Sequence, residues 1–215
     1  MGSEEVHTEK LIKEKARSLF FQKGFLNATT QEIADEAGVN RALIHYYFRS
    51  RDQMLEILLD ETLQEKRDLA RAILTSERPF REKIASYIDA IVDYGLKYPY
   101  LDNFIISEIA RRPEKIKLFC AKDKFRSSDL IREALEKEIK KGKIAPISAE
   151  HFMVNLISLC NYPLLAKSVI QTIHGLTDTA YRKFLVERKQ IIFRTIFDED
   201  MPELNAKEEL TKNRV

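Results

Sequence analysis

An all-α chain is expected, with a small three-helix unit at the N-terminus and a larger helical body behind it, and three observations point there. Apolar residues recur at three- and four-residue intervals along most of the chain. The six glycines and six prolines fall between stretches of helical period rather than inside strand-like alternation. Helix-start chemistry recurs as well: Thr29 with Glu32, and Ser50 with Gln53, both have the spacing of a capping box.

Taken in order, the first helix is expected from about Glu9 to Lys23, with Ile12, Ala16, Leu19 and Phe20 on one face and Gly24 as its left-handed terminator. Phe25 is then expected to turn into the core. A short second helix covers Thr30 to Ala37. Gly38 supplies the positive φ of a sharp turn, and Asn40 caps a third helix through Tyr47. The fourth helix starts after Ser50, packs Met54, Leu55, Leu58 and Leu59 inward, and ends near Leu74. Pro79 is expected at the first position of a fifth helix outlined by Ile84, Ile88, Ile91 and Gly95. Further helices are expected over Tyr100 to Arg111, over Pro113 to Lys141 with a bend around Phe125 to Ser128, and after Ser148 to Val169, where Pro163 should kink or break the last. A final helix spans Asp178 to Phe197. The tail to Val215 is polar, and it is expected to fray.

Composition excludes several classes. With 33% charged and 44% hydrophobic residues, the chain can bury a core, and it has no apolar run of membrane-spanning length. The polar N-terminus lacks the pattern of a secretory signal, so a cytoplasmic protein is expected. Cys120 and Cys160 lie far apart and form no redox or zinc motif; buried free thiols are the better reading. His7, His45, His151 and His174 are scattered, and there is no G-x-S-x-G, no H-E-x-x-H and no phosphate-cradling glycine loop. Neither an enzyme, nor a metal site, nor a cofactor is expected.

The net charge of +2 does not by itself announce nucleic-acid binding. Its local distribution is more telling. Between Gly38 and Arg51 stand Arg41, Arg49, Arg51 and His45, with no acidic residue. Ile33, Ala34, Val39 and Ile44 can fill the angle between two short helices, leaving Asn40, Arg41, Ala42, His45 and Tyr46 outward. Such a helix fits the major groove, where Arg41 can pair with guanine and Asn40 with adenine or a phosphate.

The stretch from Thr29 to Phe48, with Ile33-Ala34, Ala37-Gly38-Val39 and Tyr46-Tyr47-Phe48, resembles the TetR (tetracycline repressor) family over residues 10 to 60. The resemblance implies that Thr29 and Gln31 support the first contacted phosphates, that Asn40, Arg41 and Ala42 begin the reading helix, and that Tyr46 lies near the DNA backbone. Tyr47 and Phe48 are implied to be structural. The family commonly has tyrosine at the position of His45 and lysine at that of Arg51; arginine preserves a phosphate contact there.

The resemblance further implies a helix-turn-helix DNA-binding domain over 1–52, a helical sensor and dimerisation domain over 53–200, and a polar tail over 201–215. The expected partners are double-stranded operator DNA, a second copy of the chain and a small-molecule inducer, with release of a repressor as the outcome. A two-fold dimer would seat two motifs about one helical turn of DNA apart. Its seam is expected around Phe152, Leu156, Leu159, Phe184, Ile191 and Ile192, with Arg182, Lys183, Glu187 and Lys189 facing water. A largely apolar inducer would meet Tyr87, Tyr94, Phe104, Phe119, Asn155, Asn161 and Tyr162, although aromatic residues at helical spacing are more often core. An enzyme, or a DNA binder with no small molecule and a solid C-terminal body, are the rival readings.

Overall fold

A computed structural model describes residues 2–114 and 127–203. Among these, the helices are α1 (Gly2–Arg17), which runs into a π-helical turn (Ser18–Gln22), then α2 (Thr30–Ala37), α3 (Arg41–Phe48), α4 (Arg51–Thr75), α5 (Phe80–Lys97), α6 (Leu101–Arg111), α7 (Ser127–Lys140), α8 (Ala149–Leu165), α9 (Lys167–His174) and α10 (Asp178–Phe197). They divide into two compact units, Met1–Asp68 with Tyr94–Lys124, and Leu69–Asp93 with Phe125–Val215. Among the described residues, no single helix is long and apolar enough to cross a membrane.

The first unit is organised by the end of α1. Leu19, Phe20 and Phe21 are consecutive and all buried, more than one α-helical stripe can take, and the wider π turn lets all three face inward. Gly24, at φ +79°, reverses the chain, and the Phe25 amide closes the end by donating to the Leu19 carbonyl at 2.9 Å. This placement corrects one expectation. Phe25 sits outside the reversal and is 59% exposed, whereas Leu26 and Ala28 are the residues that pack inward.

At α2 both halves of the capping box form: the Thr29 side chain accepts from the Glu32 amide, and the Glu32 carboxylate accepts from the Thr29 amide and hydroxyl. Those two donors hold the Glu32 carboxyl below its ordinary range. Gly38, at φ +65°, then permits the turn into α3. Ile33, Ala34, Ala37, Ile44 and Phe48 pack into one core with Ile12 and Ala16 of α1 and Met54 and Leu58 of α4. Ser50 accepts from the Gln53 amide at 3.2 Å to start α4. Along the α1 and α4 surfaces, Lys13 reaches Glu61 at 2.7 Å, and Arg17 reaches Glu61 at 3.1 Å and Glu65 at 2.8 Å.

In the second unit the core is aromatic. Phe80, Phe152 and Phe197 pack mutually with ring centroids 5.7–6.3 Å apart, and Phe193 lies 4.6 Å from Phe197. Pro79 precedes α5 instead of occupying its first position; its carbonyl accepts from the Lys83 amide. Ile84, Ile88 and Ile91 face inward as expected. The break anticipated near Pro163 comes at Ala166, where α8 and α9 meet at 70°. The chain does not end its helix at Val169 but continues to His174, where Gly175 at φ +63° terminates it. The Pro163 carbonyl receives the hydroxyl of Tyr181. The anticipated bend at Phe125 to Ser128 lies largely outside the described residues.

Burial also redraws the expected dimer face. Phe152, Leu156 and Ile192 are core of their own chain, because they are the residues that join α8 to α10 and the phenylalanine cluster. The apolar side chains left outside are Val154, Ile157 and Tyr162 on α8 and Val186 and Ile191 on α10. Lys189 is likewise not a solvent residue. It is 13% exposed and bridges Asp89 at 2.6 Å and Asp93 at 2.7 Å on α5.

Candidate nucleic-acid interface

α3 presents opposite chemistries on its two sides. Ile44 and Phe48 are buried, while Arg41, Ala42, His45 and Tyr46 face outward, Tyr46 being 70% exposed. The nearest acidic residue in sequence before the helix is Glu36 of α2, which is tied to Lys23 at 2.9 Å. An outward surface with two cationic or protonatable groups, a phenol and no carboxylate on its own helix suits a polyanion.

Local contacts set the starting position of each side chain. Arg41 Nε donates to Thr30 Oγ1 at 3.0 Å, so the guanidinium is held toward the start of α2. Asn40 caps α3 with its side-chain oxygen, which accepts from the Ala42 amide at 2.8 Å. A bidentate pairing with adenine needs that oxygen as well as the amide NH2, and the cap already takes one of the oxygen's two lone pairs. Thr29 is similarly engaged, in the capping box, and the Gln31 side chain donates to Asp35 at 2.8 Å. Tyr46 and Tyr47 meet edge to face at 5.0 Å, and the Tyr47 hydroxyl donates to the Glu5 carbonyl.

The end of α3 carries a feature that composition did not reveal. Arg49 has φ +60° and ψ −45°, and the Ser50 amide donates to the Phe48 carbonyl across it, forming a tight γ-turn. This conformation is costly for a residue with a Cβ. It is braced by the Arg49 amide donating to the His45 carbonyl at 3.0 Å and by His45 Nδ1 lying 3.1 Å from the Arg49 carbonyl. Arg51, expected at the phosphate backbone, instead donates through Nε to the Ala28 carbonyl at 3.0 Å and through Nη1 to Asp52 at 2.6 Å. Its guanidinium also lies over the Phe20 ring.

The described residues expected around an inducer divide between the two units. Tyr94 belongs to the first unit, where its hydroxyl donates to the Thr62 carbonyl, and burial there pushes its pKa up. Phe104 is part of the same unit's core. Tyr87 is buried on α5, Tyr162 is 60% exposed, and Phe119 lies outside the described residues. Asn161 is nearer to expectation: its Oδ1 is buried with no hydrogen-bond partner among the described residues. Asn155 lines a groove of about 520 Å³ in the second unit, between the Ile144–Ile147 loop, α8 and α10, with Phe152, Ser158 and Thr195 among its walls. Among the described residues, no cluster of three or more His, Cys, Asp and Glu could hold a metal ion.

Comparisons with known proteins converge on this arrangement. Residues 12–58 match the family model for bacterial regulatory proteins of the tetR family, a span that covers the end of α1, the π-helical turn, all of α2 and α3 and the start of α4. The chain is 26% identical over 196 residues to the probable HTH-type transcriptional regulator YttP of Bacillus subtilis, covering 89% of this chain and 95% of that one. It is 38% identical over 89 residues to the HTH-type transcriptional regulator BetI of Brucella anthropi, 41% of this chain and 45% of the relative. A solved transcriptional regulator of the TetR/AcrR family from Thermobifida fusca has the same fold, with a TM-score of 0.61 at 14% identity over 87% of this chain and 96% of that one. The family model thus falls on the residues that build the outward α3, and the fold of that solved regulator extends through the helical body: residues 12–58 match the DNA-binding region of tetR-family regulators, and the chain has their fold.

Proposed function

We propose that the chain is a repressor that binds a two-fold operator as a homodimer and leaves it when a small, largely apolar ligand enters the helical body. The observation that carries the DNA half is the split character of α3, with Ile44 and Phe48 inward and Arg41, Ala42, His45 and Tyr46 outward. Arg41 is assigned a base edge in the major groove, and Tyr46 and the Asn40 NH2 are assigned phosphates. Thr29 and Gln31 serve at the entry of α2, and His45 holds the Arg49 turn. Arg51 supports the interface from behind, because its guanidinium ties the Ala28 carbonyl just before Thr29. Residues 1–52 act as the reading module, 53–200 as the sensing and dimerising body and 201–215 as a tail.

Two observations support the rest. Val154, Ile157, Val186 and Ile191 leave α8 and α10 with uncovered apolar side chains, which a second copy would cover by two-fold symmetry. The groove beside Asn155 has the size and the mix of aliphatic walls and few polar groups typical of small-molecule sites, and Asn161 is not among its walls. Release then requires that the ligand prefer one dimer state over the other.

The test is selection of bound fragments from random duplex DNA, repeated with a metabolite extract. Recovery of an inverted repeat with half-sites about one helical turn apart, lost when the extract is added, is the expected result. Enrichment of a single unrepeated site would overturn the dimeric reading, and retention of DNA with every extract fraction would overturn the ligand-released one.

A further inference from the structure

Of the three arginines in the acid-free run from Gly38 to Arg51, two are engaged by the protein itself. Arg41 donates to Thr30, and Arg51 is held by the Ala28 carbonyl and Asp52, over the Phe20 ring. Arg49 is exposed, and among the described residues nothing holds its guanidinium; every bond at this position comes from its backbone. That backbone is one a side chain ordinarily forbids. Among the described residues Arg49 and Asp198 combine a positive φ with a Cβ, but Asp198, at φ 54° and ψ 30°, sits in the usual left-handed well, whereas Arg49, at φ 60° and ψ −45°, lies outside it. Glycine would take this turn without strain, so the stability of the fold does not account for an arginine with no partner in it.

What the turn does is visible in its neighbours. Phe48 is buried and Ser50 caps α4 through the Gln53 amide, so both are anchored, and Arg49, the apex between them, is thrust outward. Its amide still donates to the His45 carbonyl, which keeps it in helical register. Arg41, His45 and Arg49 therefore follow one another at four-residue steps along the exposed side of α3. With a rise of about 1.5 Å per residue, Arg49 stands about 12 Å beyond Arg41, and the major groove is about 12 Å across between its phosphate rails. A guanidinium without a counter-charge, held at that distance by a braced turn, suits a phosphate oxygen. We propose that Arg49 is the phosphate clamp of the reading helix, taking in this chain the backbone contact that the family resemblance gives to Arg51. The assignment rests on the DNA-binding reading of α3 above, and it explains why the strain is kept.

The test is a salt titration of binding by the full chain, to the fragments recovered in the selection above and to a random-sequence duplex, with R49Q, R49K, R49G and R51Q beside the parent. R49Q is expected to weaken binding to both duplexes alike and to lower the log–log salt slope by about one. R49K should keep the parental slope, and R51Q should lower affinity without changing it. R49G, freed of the strain, should unfold at a urea concentration no lower than the parent's while losing the same part of the slope. A parental slope in R49Q overturns the proposal, and a slope that falls in R51Q instead returns the contact to Arg51. An R49G variant that unfolds earlier and keeps the parental slope makes the side chain a brace of the fold, which overturns the proposal as well. Parent that binds neither duplex even at low salt overturns the DNA reading of α3, and the Arg49 contact with it; parent that binds, with R49Q indistinguishable from it, overturns the Arg49 contact alone.

Discussion

Arg41 Nε lies 3.0 Å from Thr30 Oγ1, so the side chain assigned to a DNA base is held in the free protein by the helix that precedes it. The contact joins two exposed residues eleven positions apart across the turn at Gly38. It is replaceable: a threonine hydroxyl is a single acceptor, whereas guanine offers the guanidinium two.

Arg41→Ala should weaken specific operator binding by about 1–3 kcal/mol and relax preference at one base position. Thr30→Val, which removes only the parking contact, should leave sequence preference intact. Competition binding against single-base operator variants separates the two. Undiminished selectivity in Arg41→Ala would remove Arg41 from the base-reading role.

Arg51 distinguishes a supporting residue from a phosphate ligand. With Nε on the Ala28 carbonyl and Nη1 on Asp52, Arg51→Gln should lower operator affinity by loosening the Thr29 entry, with the salt dependence unchanged. A slope reduced by about one in a log–log salt titration would assign it a phosphate after all.

How far the sequence could be read is clearest at these two arginines. Capping, glycine turns and helical period are local rules, and they located α2, α3 and α10 almost to the residue. Arg51 was legible as a cation near DNA but not as a tie to Ala28, because that bond depends on how a loop 23 residues upstream folds back. The γ-turn at Arg49 left no mark either, since its residue type argues against a positive φ. The expected dimer seam includes residues that the chain itself covers. Periodicity identifies an apolar stripe but not whether its own chain covers it, and Phe152 and Ile192 are covered.

Gly24 should be intolerant of any side chain. Its φ is +79°, and an added Cβ would lie 3.0 Å from the Tyr100 ring, whose own amide donates to the Phe21 carbonyl. Gly24→Ala should cost about 1–2 kcal/mol from the backbone alone, and more from displacing the ring. A urea-unfolding midpoint equal to the parent's would refute the packing argument, and Gly24→Ala with Tyr100→Ala should recover the ring's part.

Acid titration should single out Glu150. Arg132 donates to its carboxylate at 2.6 Å beside the Ser148 cap, and this side-chain bond, ahead of the helix-start amide, lowers its pKa to about 2. A carboxyl depressed by folding stabilises above its ordinary range, and that contribution disappears as the pH falls toward 2. Carboxyl NMR should show Glu150 still ionised at pH 3.5, and Arg132→Gln should return it toward the ordinary value. An unmoved titration in Arg132→Gln would place the cause elsewhere.

Tyr181 tests whether the bend between α8 and α9 is a designed joint. Pro163 has no amide hydrogen to continue the ladder, and its own carbonyl takes the Tyr181 hydroxyl in a buried setting. Tyr181→Phe keeps the ring and its stacking on Phe184 but leaves that carbonyl without the hydroxyl, a loss of about 1–3 kcal/mol. Burial also pushes the Tyr181 phenol up to about 12. Since its folded pKa lies above the unfolded one near 10, the associated stability is whole below about pH 10 and drains away as the pH rises toward 12. Ultraviolet titration should therefore find one tyrosine ionising near 12 in the folded parent and missing in Tyr181→Phe. If Tyr181→Phe unfolds at the parental urea concentration, the bend is held by the Lys167 and Gln171 ties to Asp178, and the hydroxyl is incidental to it.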